Sequence, residues 1–148
     1  MNLSEIYTEL IAEHNSNKEN KRDIIEFDVE ELGHNPSCGD EITLKIKYEE
    51  GKIKDIAYQG SGCAISQAST SMLIDLVKGK TKKEVEEITD LFLKMIKKEI
   101  DDEEVLKEIL DEAFVFKNIS NMPSRVKCAV LSWHTLRNAI KEKNSEIE

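Results

Sequence analysis

No stretch of this chain approaches roughly 18 consecutive apolar residues, so no membrane-spanning helix is expected. Basic charge is also in short supply: 21 Lys and Arg stand against 30 Asp and Glu, for a net charge of −9. A field of that sign repels phosphate backbones and anionic membrane surfaces, so neither nucleic acid nor a membrane is expected as a partner. The opening residues, MNLSEIYTELIAEH, mix acidic with apolar side chains and have neither the basic start nor the continuous apolar segment of a secretion signal. These absences point to a cytoplasmic protein, in a compartment where thiols stay reduced. Cysteine itself is scarce. Three residues cannot all pair within one chain, which favours metal binding or reactive thiols over a disulfide framework. Internal repeats and short Cys-x-x-Cys knuckles are missing as well.

What is present suffices to fold. The composition is 39% hydrophobic and 34% charged, too apolar for a disordered chain, and 148 residues suit a single domain over 1–148 with a polar tail from about 141 to 148. Leu3, Ile6, Tyr7, Leu10 and Ile11 recur at helical spacing until the polar run from His14 to Asn20, read as a solvated loop. A first strand is expected around Ile24 to Val29, ending in a turn at Gly33-His34-Asn35-Pro36. Ile42, Leu44, Ile46 and Tyr48 alternate with polar residues, Glu49-Glu50-Gly51 turns the chain, and Ile53, Ile56 and Tyr58 resume, which reads as an antiparallel hairpin.

Beyond Gly60-Ser61-Gly62 the period becomes helical. Ile65, Ala68, Met72 and Leu76 share one face, and Gly79 stops the helix. Thr81 and Glu84 form a capping box for the next helix, which carries Val85, Ile88, Leu91, Phe92 and Met95. Asp101 or Asp102 caps a short helix with Val105, Ile109 and Leu110. Pro123 opens a last helix that runs through Trp133, a core residue, to about Lys141. The sum is an α+β fold in which helices pack on one face of a small three-stranded antiparallel sheet.

The three cysteines all fall at element ends. Cys38-Gly39-Asp40 precedes a strand, Gly60-Ser61-Gly62-Cys63 marks a strand-to-helix handover, and Cys128 lies in the second turn of the last helix. Three thiolates and one carboxylate make a reasonable tetrahedral set for Zn²⁺, so Cys38, Asp40, Cys63 and Cys128 are the candidate ligands. Gly39 lets the chain bend around an ion, and Gly60 and Gly62 allow close approach beside Cys63. On the last helix Val126, Val130, Trp133, Arg137 and Ile140 fall in one narrow, mainly apolar sector with Ala129 beside it, and Cys128 lies nearly opposite its centre, where a purely structural cysteine is out of place. Arg125 and Lys127 are within reach of its sulfur, and would offset the charge of roughly −2 that such a ligand set leaves around a divalent ion. The helix start at Cys63 favours negative charge in the same sense.

Each residue also has a plainer reading. A free cysteine is often just a small buried residue, Asp40 a turn residue, and Arg125 and Lys127 solvated helix charges. His14, His34 and His134 have no partner at ligand spacing and read as surface or capping residues.

Three segments raise the cysteines above those readings: Asn35-Pro36-Ser37-Cys38-Gly39-Asp40-Glu41-Ile42, the run from Gly60 to Ser69, and Pro123-Ser124-Arg125-Val126-Lys127-Cys128-Ala129. In order and spacing they resemble the NifU/IscU-like family of iron–sulfur cluster assembly proteins, over most of the chain. Within it the chain looks like the SufU-type branch, which has Lys before the third cysteine and an extra helical stretch between the second and third. Lys127 and the Lys80 to Asp111 region match both criteria. The scaffold branch has His where this chain has Lys127.

The resemblance implies an IscU/SufU-like fold and a zinc ion held by Cys38, Asp40, Cys63 and Cys128. It further implies a sulfurtransferase-like role: a pyridoxal-phosphate cysteine desulfurase of the SufS type docks and passes persulfide sulfur to a cysteine here. Cys38, in a Pro36/Gly39 loop rather than a helix, is the expected acceptor, with Arg125 and Lys127 as electrostatic support. The sulfur would then go to a downstream cluster-building scaffold complex. One alternative is a scaffold that binds iron and assembles an iron–sulfur cluster on the same three cysteines; another is a zinc-stabilised interaction module. The stretch from Asn15 to Asn20 departs from the family in lacking the Pro-Arg pair that commonly follows its first helix.

Overall fold

The structure is a computed structural model that describes residues 3–36 and 39–142. Its elements run α1 (Leu3–Ser16), β1 (Val29–Asn35), β2 (Asp40–Glu49), β3 (Lys52–Ser61), α2 (Ala64–Val77), α3 (Lys82–Ile96), α4 (Glu103–Leu110), a 3₁₀ segment over Asp111–Asn121, and α5 (Pro123–Glu142). The strands form one antiparallel sheet in the order β1-β2-β3. The α+β architecture with a three-stranded antiparallel sheet is therefore the one the sequence implies. Among the described residues, no helix is long and apolar enough to cross a membrane. The expected polar tail lies, from 143 onward, outside the described residues.

Strand β2 shows why one sheet face carries the helices. Asp40, Ile42, Leu44 and Ile46 are buried while Glu41, Thr43, Lys45 and Lys47 between them are not, the alternation expected of a strand with one covered face. Asp40 is in phase with the apolar set, so a carboxylate points to the core side at the end of the strand. The β2–β3 connection is a tight turn at Glu50 and Gly51, whose φ angles of 53° and 77° suit the right-handed twist of the flanking strands.

The first strand lies later than expected. Val29–Asn35 pairs with Ile46 through Asp40, whereas the stretch around Ile24 lies before it, with Ile25 91% exposed. Gly33, read as part of a turn, is a strand residue for a packing reason: a Cβ there would lie 1.9 Å from Thr135 Oγ1 on α5. Only glycine lets α5 approach β1 this closely.

Helices α2 and α5 form the centre. Trp133 is fully buried and stacks on Phe92 of α3, with ring centroids 3.7 Å apart. Its indole Nε1–H donates to Ser69 Oγ at 2.8 Å, and Ser69 in turn donates to the Ala129 carbonyl at 2.6 Å. This buried relay fixes the start of α5 against α2, which sets where Cys128 faces. Helix α3 begins with the expected capping box, and Asp102 caps α4 by accepting from the Val105 amide.

The polar run after α1 is not simply solvated. His14 and Asn20 are each only 7% exposed. Imidazole Nδ1 of His14 is 2.8 Å from Ser71 Oγ, and Nε2 is 2.7 Å from Glu112 Oε1. His14 is therefore a buried, paired residue rather than a surface or capping one; its partners come from α2 and the 3₁₀ segment, 57 and 98 positions away.

Candidate metal centre

Three elements converge on one point. Asp40 opens β2 on the covered face, Cys63 is the N-cap of α2, and Cys128 lies in the second turn of α5. One ligand atom from each lies within 4.8 Å of the other two. Asp40 and Cys128 are 1% and 3% exposed, whereas Cys63 is half-buried, so the group opens to solvent on the Cys63 side. Cys38 falls outside the described residues.

Backbone hydrogen bonds hold these donors in place. Asp40 Oδ1 accepts the amide N–H of Cys63 at 3.0 Å, and Cys63 Sγ accepts the amide N–H of Ser66 at 3.4 Å as the cap of α2. Gly62 makes the approach possible: a Cβ there would lie 2.7 Å from Asp40 Oδ1 and 3.3 Å from Ser66 Oγ. Any side chain would push the carboxylate away from the sulfurs.

Cys128 lies opposite the Val126-to-Ile140 stripe yet is buried. Helix α5 is covered on several sides, by α2, β1, α3 and the 3₁₀ segment, so the face bearing Cys128, Ser132 and Thr135 is buried too. The wet face of α5 is instead the row Lys127, His134, Asn138 and Lys141, about a quarter turn from the centre of that stripe, so Cys128 with Ser132 and Thr135 falls on the covered side. Arg125 and Lys127 are exposed on the first turns of α5.

A residue the sequence did not single out is Tyr7. Burial pushes its phenol pKa up, the Arg125 guanidinium pulls it back, and the Cys63 and Cys128 sulfurs add to the rise. Its ring meets Phe116 edge-on at 5.7 Å. The buried hydroxyls of Tyr7 and Ser66 have no hydrogen-bond partner among the described residues. The helical spacing of Tyr7 with Leu3 and Leu10 marks an apolar face, but nothing in it says that the face covers the cysteines.

Two thiols and a carboxylate within one ion's reach fit a thiophilic divalent metal, with Zn²⁺ or iron the matching ions. A buried carboxylate already oriented by the Cys63 amide, and an α2 N-terminal amide already directed at Cys63 Sγ, suit a negatively charged ligand set there.

The family model for the NifU-like N-terminal domain matches residues 6–147. The IscU iron–sulfur cluster assembly scaffold protein of Streptococcus pyogenes is 37% identical, with 94% of this chain and 85% of that one aligned. The protein named zinc-dependent sulfurtransferase SufU of Bacillus subtilis is 35% identical over 96% of this chain and 94% of its own. Among solved structures, a SufU scaffold protein for the SUF system from Fervidobacterium islandicum superposes with a TM-score of 0.83 at 38% identity, covering 90% of this chain and 96% of that one. A NifU-like N-terminal protein from Brucella abortus shares the fold, at a TM-score of 0.80 and 23% identity, over 95% and 96% of the two chains. The chain belongs to the NifU-like N-terminal domain family, as an iron–sulfur cluster assembly protein of the IscU/SufU type.

Proposed function

We propose that this protein is a zinc-dependent sulfur acceptor, which takes persulfide sulfur from a pyridoxal-phosphate cysteine desulfurase and hands it to a downstream cluster-building scaffold in the cytoplasm. The observation that carries this reading is the convergence of Asp40, Cys63 and Cys128 beside a lysine, Lys127, that directly precedes the third cysteine. The sulfurtransferase name of the Bacillus relative supports it. Cys38, two residues before Asp40 in the chain, supplies the remaining thiol.

Held by Cys38, Asp40, Cys63 and Cys128, a zinc ion would keep its cysteine ligands as thiolates at neutral pH. Each protein group then has a separate task. Asp40, fixed by the Cys63 amide, keeps one position of the set in place. Cys63 is fixed as the cap of α2 and Cys128 within α5, which leaves Cys38 as the sulfur that turns to the partner. Its thiolate attacks the terminal sulfur of the desulfurase persulfide. One S–S bond forms on Cys38 as the desulfurase S–S bond breaks, the desulfurase cysteine leaves as a thiolate, and no net oxidation occurs. Arg125 and Lys127 balance the excess negative charge.

The partner has a surface to meet beside these groups. His34, Pro36, Lys127, Val130, Leu131 and His134 line an open groove of about 380 Å³ that starts at the β1–β2 connection. The scaffold alternative, in which iron is gathered and a cluster assembled on the same cysteines, is supported by the IscU names of the relatives from S. pyogenes and Thermotoga maritima.

Elemental analysis and an absorbance spectrum of protein purified without added iron separate the two readings. One zinc per chain and no visible absorption are expected; bound iron with a coloured cluster in its place favours the scaffold. On incubation with a cysteine desulfurase and cysteine, peptide mass spectrometry should find the added sulfur on Cys38, and Cys38→Ser should abolish the transfer while preserving the fold. Early persulfide on Cys63 or Cys128 with Cys38 unmodified overturns the assignment.

A further inference from the structure

A second group of metal-ligating side chains lies further along α2. From Ala64, which follows the capping cysteine, to Asp75 there are 11 steps of about 1.5 Å, so the two groups are separated by roughly 16 Å of helix. Here His14 from α1, Asp75 from α2 and Glu112 from the 3₁₀ segment each bring one ligand atom within 4.8 Å of the other two.

The arrangement is ordered before any ion arrives. His14 is 7% exposed, with Nδ1 held 2.8 Å from Ser71 Oγ. The Ser71 hydroxyl accepts the Asn20 Nδ2–H at 3.1 Å and, being both donor and acceptor, can donate to Nδ1 or accept from it. Nε2–H donates to Glu112 Oε1 at 2.7 Å, and an entering ion takes the place of that proton, leaving Nδ1–H to donate to Ser71 Oγ. Asn20 Nδ2 also donates to Asp75 Oδ1 at 2.9 Å, so one buried amide orients both a ligand and the residue that orients another. Outer contacts of this kind fix the tautomer and aim of metal-binding imidazoles.

Access and charge supply a second line of argument. Asp75 is exposed and Glu112 half-exposed, so an ion reaches the group from solvent. Asp75 also lines a groove of about 500 Å³ with Glu84, Glu87, Glu108, Asp111 and a single cation, Lys80. Five carboxylates against one ammonium raise the local concentration of divalent cations beside the buried imidazole.

We propose that His14, Asp75 and Glu112 form a second metal site, for a divalent first-row transition ion bound by one imidazole and two carboxylates with water in its other positions. With no sulfur among its donors, the site takes harder ions than the cysteine centre does, Mn²⁺ included. Binding there would clasp α1 to α2 and the 3₁₀ segment.

Mn²⁺ is the probe, because it broadens nearby amide resonances and competes poorly for thiolates. In ¹H–¹⁵N spectra of the full chain, Mn²⁺ should broaden the signals of His14, Asp75 and Glu112 before those of Asp40, Cys63 and Cys128. In electron paramagnetic resonance titrations, Asp75→Asn and Glu112→Gln should each weaken binding at least tenfold; both are near-isosteric changes at solvent-accessible side chains, so the fold is kept. Broadening centred on Glu84, Glu87 and Glu108 would mean diffuse counter-ions and overturn the site. So would unchanged affinity in both variants, or broadening confined to the Asp40 region.

Discussion

Asp40 Oδ1 accepts the backbone N–H of Cys63 at 3.0 Å, tying the first residue of β2 to the cap of α2. A carboxylate fixed in this way is oriented by the protein rather than by an ion. Replacing it tests the ligand set directly. Asp40→Ala should leave an open or water-filled position and lower zinc affinity by about 10- to 100-fold, the scale seen when metal-site support is removed. Competition with a chromophoric chelator measures this, and unchanged affinity would take Asp40 out of the ligand set.

Gly62→Ala places a methyl group 2.7 Å from Asp40 Oδ1. We expect loss of zinc retention with a stability cost of about 1–3 kcal/mol, typical of forcing an extra carbon into a packed site. Chemical denaturation of the metal-free protein beside chelator competition separates the two effects. Full zinc retention would show that the carboxylate can move aside.

Arg125 is exposed, so Arg125→Ala should shift stability by no more than about 0.5 kcal/mol. Sulfur acceptance from a desulfurase should nonetheless fall, because the cation serves the charge of the site. Parallel loss of melting temperature and activity would indicate a structural role.

Ser69→Ala removes the acceptor of the Trp133 indole and the donor to Ala129. Leaving a buried N–H unpaired costs about 1–3 kcal/mol. Since Ala129 adjoins Cys128, zinc affinity should drop in the same variant. Thermal unfolding with and without zinc reads both quantities, and an unaltered melting temperature would show that the relay is not needed.

Much of this was legible in the residues, and the exceptions share a cause. The β2–β3 hairpin and the Thr81 box are written in local patterns, period-two alternation and a three-residue cap, and they are found where expected. Asp40 could have been placed on the core side from Ile42, Leu44 and Ile46 alone, by counting back two. The strand at Val29–Asn35 is hidden from local pattern because Gly33 answers to Thr135 on α5, far along the chain, and no neighbouring residue carries that contact. His14 follows the same rule, since its partners Ser71 and Glu112 are distant in sequence. Cys128 was placed by the stripe of its own helix, whereas its surroundings are set by every element that packs on α5.

Because Cys63 Sγ is the acceptor that caps α2, the sulfur and the helix share one hydrogen bond, with the Ser66 amide as its other end. Anything that alters the charge or bulk of that sulfur alters the fraying of the first turn. The exchange rate of the Ser66 backbone amide should thus follow the chemical state of the centre, with no ion needing to be seen directly.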